Sequence, residues 1–197
     1  MLITGSTATH LWQRLIREAQ DDLNCPLGEE LEAYLVLTLG HYTRQPALGQ
    51  RILSLDYLNA MQPTSNGIGN STGHVQALRE VGDHCLLTSG LFPQRARRRR
   101  VQVSYYVDLG RSAYDSLSMS MNNTWSRLYQ QMSEGFVVLM DILQAMRPRE
   151  EMPAWLSPLE AHELWRDTGA RVARRVLTDT SVDADPAAGM ALSQRRQ

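Results

Sequence analysis

The sequence predicts an all-α fold: one compact domain of about seven helices, bundle-like or orthogonal, with essentially no sheet. Three observations carry that expectation. Apolar residues recur at intervals of three and four along most of residues 9–177, the period of a helix face. No stretch combines β-branched enrichment with sustained alternation, as half-buried strands do. Prolines at 26, 46, 93, 148 and 158 divide the periodic stretches into helix-sized pieces. The 197 residues, 43% hydrophobic and 21% charged, suit a single core that needs no covalent staples.

The first predicted helix spans 9–23, where Leu11, Trp12, Leu15, Ile16, Ala19 and Leu23 share one face. The second opens at Pro26, a residue suited to a first turn, with Glu29 and Glu30 near its positive end. It runs through Leu31, Tyr34, Leu35, Leu39 and Tyr42 to about Arg44, and its middle is apolar nearly all round, which predicts a central position. A third, from about Ala47 to Met61, carries Leu48, Ile52, Leu55 and Leu58. Residues 62–73 read as a polar, glycine-rich loop in which Ser71 or Thr72 is placed to cap the fourth helix. Val75, Leu78, Gly82, Cys85, Leu86 and Ser89 line one face of that helix, and Gly90 with Pro93 ends it.

A fifth helix is expected from Pro93 to about Met121, with apolar residues over more than half of its circumference and hence a buried position. Its remaining face carries Asp108, Arg111 and Asp115, spaced for mutual pairing. Asn123 is placed to cap the sixth, in which Trp125, Leu128, Met132, Phe136, Leu139, Leu143 and Met146 form the cleanest stripe of the chain. Val137 and Val138 lie off that stripe and point to a second buried surface such as a subunit contact, so a homo-oligomer is expected. Ser157-Pro-Leu-Glu160 is a capping box with Pro at the first helical position, opening the seventh helix through Leu164, Thr168, Val172 and Val176. The helical domain is thus expected over 1–177, and residues 178–197 as a flexible tail.

Composition removes several chemistries. All 20 Lys+Arg positions are Arg, so no Schiff base, pyridoxal-phosphate anchor or Walker-type lysine exists. A coding bias toward Arg accounts for the general count, while the planar guanidinium fork remains suited to carboxylates and phosphates. Cys25 and Cys85 exclude an all-cysteine metal site, and Cys85 falls on an apolar face as a buried small hydrophobe would. The first residues lack the basic and apolar regions of a secretory signal, and the longest apolar runs fall far short of a bilayer span. A cytoplasmic chain with no membrane contact is expected.

The strongest polar anomaly is the run Arg95, Arg97, Arg98, Arg99 and Arg100. If Pro93 opens a long helix, these cations crowd its positive end, where Asp or Glu is favoured. That placement implies an anionic counterpart: acidic residues of this chain, an acidic protein partner, nucleic acid or a phosphorylated ligand. Nucleic acid is the less favoured of these, because net charge is −1 and no known binding motif accompanies the run. Tyr105, Tyr106 and Tyr114 bring hydroxyls into the same helix, and Asp83, Asp108 and Arg111 are their natural partners. That set reads as a structural hydrogen-bond network or, more sharply, as a polar pocket between helices 74–89 and 94–121. Glu80 and His84, four residues apart, read as a surface pair, because nothing else completes a metal site. Gly67-Ile-Gly-Asn-Ser-Thr-Gly73 has the look of a phosphate loop, but it follows a helix and lacks Lys. No catalytic residue, metal or cofactor is assigned.

The block Val81-Gly-Asp-His-Cys-Leu-Leu-Thr-Ser-Gly-Leu-Phe-Pro93, followed by the arginines and Tyr105-Tyr-Val-Asp-Leu-Gly-Arg-Ser-Ala-Tyr114, resembles one found in uncharacterised bacterial all-helical proteins of about 200 residues. It covers under a fifth of the chain, and implies a bacterial, cytosolic, helical protein with no known activity. The leading expectation is therefore a non-enzymatic interaction or regulatory protein that uses the arginine run for an anionic partner. A small-ligand binder or enzyme built on the polar pocket, and a nucleic-acid-binding protein, are the alternatives.

Overall fold

The computed structural model describes residues 5–44, 56–58, 71–121, 124–147 and 156–183. Among these it is all-helical, with no strand. The helices are α1 (Gly5–Leu23), α2 (Glu29–Arg44), α3 (Ser71–Gly90), α4 (Pro93–Arg98), α5 (Val103–Ser120), α6 (Thr124–Glu134), α7 (Phe136–Ala145), α8 (Pro158–Thr168) and α9 (Arg171–Asp183). The helix expected over 47–61 lies outside the described residues except for 56–58, which are helical. Asn123 and most of the glycine-rich loop also lie outside them.

Three of the expected helices are divided, so nine helices, besides the helical residues 56–58, are seen among the described residues where about seven were expected over the chain. Residues 93–121 break at Arg99–Gln102. Residues 157–177 break at Gly169, whose φ of +73° ends α8 in the left-handed conformation, one that glycine adopts without a Cβ clash. Residues 124–145 bend at Gly135 while their backbone ladder continues, Gly135 donating to the Gln131 carbonyl at 2.8 Å and Leu139 to that of Gly135 at 3.0 Å. A Cβ at Gly135 would stand 2.9 Å from the Gln131 oxygen, so the bend needs glycine. At the other boundaries α2 begins at Glu29, not Pro26, with Gly28 accepting its first amides. Ser71 and Thr72 already lie inside α3, and α9 continues to Asp183.

The centre of the domain is α3, not α2. Every residue from Val81 to Gly90 is buried, whereas α2 leaves Leu37 68% exposed. Neighbouring helices approach α3 closely at its glycines. A Cβ on Gly82 would lie 2.6 Å from the Tyr114 ring, and one on Gly90 2.6 Å from Leu143, so α5 and α7 seat side chains directly on the α3 backbone. On α5, Gly110 receives the Phe136 ring in the same way. Val137 and Val138 are half-buried against this core.

Polar ties lock the outer helices. Glu32 accepts from Arg17 Nε at 2.9 Å and from Gln13 and Gln20 at 3.3 Å each, joining α1 to α2. Asp141, on α7 and 2% exposed, accepts from the amides of Arg171 at 2.8 Å and Val172 at 3.2 Å, which serves orphan donors of the α9 N-terminus. Burial pushes the Asp141 carboxyl up to about 6, against the pull of those two amides and of the Arg171 and Arg175 charges. The capping box is present as expected: Ser157 Oγ accepts from the Glu160 amide, and the Glu160 carboxylate accepts from the Ser157 amide at 2.9 Å.

Candidate functional site

The arginine run forms a turn. Its helix, α4, lasts six residues, with Pro93 and Ala96 buried beneath it. Val101 donates to the Ala96 carbonyl at 3.0 Å and Arg100 to the Arg97 carbonyl at 3.0 Å, the paired bonds of a Schellman motif. Arg100 occupies its left-handed position at φ +56°, where glycine is usual. The expectation that these cations crowd the positive end of a long helix is therefore overturned. Arg95, Arg97 and Arg98 sit in the last turn of α4, where cations meet the negative end of a helix. The cause is the break itself, for which the sequence carries neither Gly nor Pro.

Their surroundings differ. Arg95 covers the Phe92 ring at 4.5 Å, a cation–π contact. Arg97 Nε pairs with Glu160 of α8 at 3.3 Å, and the Arg99 charge lies beside Tyr106. Arg97, Arg98, Arg99 and Arg100 are all exposed. Among the described residues, no carboxylate lies within ion-pair distance of Arg98 or Arg100.

Beside the turn, between it and α8, lies a groove of about 200 Å³. Arg97, Arg100, Glu160 and Glu163 line it together with the apolar Val101, Val103, Leu156 and Leu164. Gln102 Nε2 donates to Glu163 Oε2 at 3.4 Å, and the N-terminus of α5 above it has no side-chain cap.

The set expected to form a polar pocket is divided. Asp83 and Tyr114 meet, the Tyr114 hydroxyl donating to Asp83 Oδ1 at 2.8 Å. Tyr105 is 42% exposed, Asp108 and Arg111 are exposed, and Tyr106 is buried beside Arg99. Residues on other helices take the vacant roles. Tyr34 of α2 donates to the same Asp83 oxygen at 2.6 Å, Arg79 approaches Asp83 Oδ2 at 3.6 Å and lies over the Tyr34 ring, and Tyr129 of α6 stacks on Tyr114. Burial pushes the Asp83 carboxyl up against the Tyr34 bond, the Arg79 charge and the Tyr114 bond, and holds both phenols protonated as donors. With the Tyr114 ring on the α3 backbone at Gly82 and Phe136 on α5 at Gly110, this is a filled, hydrogen-bonded core. Of the added members, only Arg79 left a sequence signal, its i,i+4 spacing to Asp83.

His84 is buried, with its ring edge-on to Tyr42 at 6.3 Å, so Glu80 and His84 are not the surface pair expected. The cover comes from α2. Cys85 is buried and its thiol is pushed up by burial, away from the thiolate a nucleophile requires. Among the described residues, no three His, Cys, Asp or Glu side chains gather in a group able to hold a metal ion. No described helix is long and apolar enough to cross a membrane. The chain matches no family model, no curated protein and no solved structure.

Proposed function

We propose that this chain is a non-enzymatic interaction or regulatory protein that docks an acidic protein partner on the arginine turn Arg97–Arg100. The observation that carries the reading is the pair Arg98 and Arg100, exposed and with no carboxylate in reach among the described residues, on a turn anchored by buried Pro93 and Ala96. An anchored turn fixes the backbone that carries these side chains, so that only the side chains are left to order on binding, and each offers a bidentate fork to a carboxylate. The left-handed Arg100 adds weight, because a non-glycine residue there costs about 1 kcal/mol or more. Side chains kept at such a cost point toward a role in recognition.

Glu160 and Glu163 beside the turn favour a protein over nucleic acid. Discrete carboxylates can be placed to avoid them, whereas a continuous phosphate backbone runs past both. The test is fluorescence anisotropy with a labelled oligoglutamate peptide and, in parallel, labelled duplex DNA. The peptide is expected to bind wild type, to lose most of that binding in Arg98→Glu with circular dichroism unchanged, and to weaken with salt. Tighter binding of DNA, with a steep salt slope, or peptide binding indifferent to Arg98→Glu, overturns the reading. The same variant then gauges partners co-purified from the native host.

A further inference from the structure

The groove between the arginine turn and α8 is lined by charges of both signs and by aliphatic side chains. Within its lining, Arg97 and Glu160 neutralise each other at 3.3 Å. That leaves one cation, Arg100, and one anion, Glu163, whose contact with Gln102 is long at 3.4 Å. Leu156 and Leu164 in the lining are each 3% exposed, and half-buried Val101 and Val103 complete its apolar part. The volume of about 200 Å³ is modest. A cavity of about 150 Å³ holds a benzene, and clefts for drug-sized ligands run to roughly 300–1,000 Å³. The groove therefore suits a molecule of residue size and not a nucleotide or an extended cofactor.

From the geometry we infer that this groove is a binding site for a small aliphatic zwitterion, an α-amino acid of the leucine type. Its carboxylate meets the Arg100 guanidinium, its ammonium group meets the Glu163 carboxylate, and its side chain meets the apolar Val101, Val103, Leu156 and Leu164. A simple anion satisfies Arg100 and leaves Glu163 unanswered. A simple cation does the reverse. A molecule carrying both charges and an apolar branch answers all three features of the lining. This goes beyond the docking of an acidic partner, and the two are separable because Arg98 does not line the groove while Glu163 lies outside the turn.

The test is isothermal titration calorimetry of the full chain with L-leucine, N-acetyl-L-leucine, L-leucinamide and glycine. Leucine is expected to bind, and each of the three analogues to bind at least about tenfold more weakly, since each lacks one of the features that the lining reads. Two variants report on the protein side. Arg100→Gly removes the guanidinium at a backbone position that glycine favours, so it retains the fold, and Glu163→Gln keeps the shape of its side chain. Each is expected to weaken leucine at least about tenfold, whereas Arg98→Glu leaves leucine binding unchanged. Absence of leucine heat at millimolar concentration overturns the inference, as does equal binding of N-acetyl-L-leucine, or leucine binding unaffected by both groove variants. Loss of oligoglutamate binding in Arg98→Glu with leucine binding intact keeps the two readings distinct.

Discussion

Val101 donates its amide to the Ala96 carbonyl at 3.0 Å across a left-handed Arg100, and this one bond turns an arginine run at a helix start into one at a helix end. Ala96 is fully buried and Val101 packs against the core, so the turn closes with its apolar members inward and its guanidinium groups outward. Apolar residues at these two positions are the usual companions of a Schellman motif.

Because Arg100 sits at φ +56°, Arg100→Gly should stabilise the fold by about 1 kcal/mol. That corresponds to a melting temperature about 2–4 °C higher for a chain of this size. Arg100→Val, β-branched at the same φ, should lower it. Thermal melts of the two variants against wild type check the sign of each.

Two glycine-to-alanine changes should have opposite signs. Gly82→Ala puts a methyl 2.6 Å from the buried Tyr114 ring and should cost about 1–3 kcal/mol by overpacking. Gly40→Ala, in α2 with nothing within 4 Å of the new Cβ, should gain about 0.5–1 kcal/mol of helix propensity. Urea denaturation midpoints measure both.

Asp83 Oδ1 receives both tyrosine hydroxyls. Tyr34→Phe or Tyr114→Phe alone should cost about 1–2 kcal/mol. The double variant strips that oxygen of both donors and should cost more than the two together. A double-mutant cycle by chemical denaturation gives the coupling, and strict additivity would speak against a shared network.

Asp141 carries a pH signature. Its carboxyl is raised to about 6 in the folded chain against 3.8 ordinarily. A raised folded value means that the folded state holds the proton more tightly. Its stabilising contribution is therefore complete below about pH 4 and is lost as pH rises through about 6, with a limiting slope of about 1.4 kcal/mol per pH unit. Asp141→Asn removes the titration. The stability of wild type relative to this variant should fall between pH 4 and pH 6, measured by denaturant unfolding at several pH values.

Ser157→Ala should cost about 1 kcal/mol by removing the acceptor for the Glu160 amide. A threonine in its place should retain most of the stability. Thermal unfolding of the two variants separates loss of the cap from a general effect of substitution.

The parts legible in the amino-acid order are those that one helix settles alone. The buried members of the expected stripe from Leu128 to Leu143, the Ser157–Glu160 box and the burial of Cys85 all depend on residues within a turn or two of each other, whereas Trp125 at the start of that stripe is exposed. Arg79 with Asp83 is a pair of the same kind, legible in spacing though not picked out. The partners of Asp83 are different. Tyr34 and Tyr114 lie 49 and 31 positions away, on helices whose own periodicity marks an apolar face but not what that face meets.

By itself, then, the sequence determined an all-helical chain, its capping box and the concentration of cations at 95–100. Tertiary structure alone decided that the expected fifth helix breaks after Arg98, that α3 and not α2 is central, and that Glu160 and Glu163 line one groove with Arg97 and Arg100. The physical reason is range. Periodicity and capping are local, fixed by side chains that share a helical turn, whereas a break without Gly or Pro, a buried carboxylate and the lining of a groove are set by packing between segments far apart in the chain.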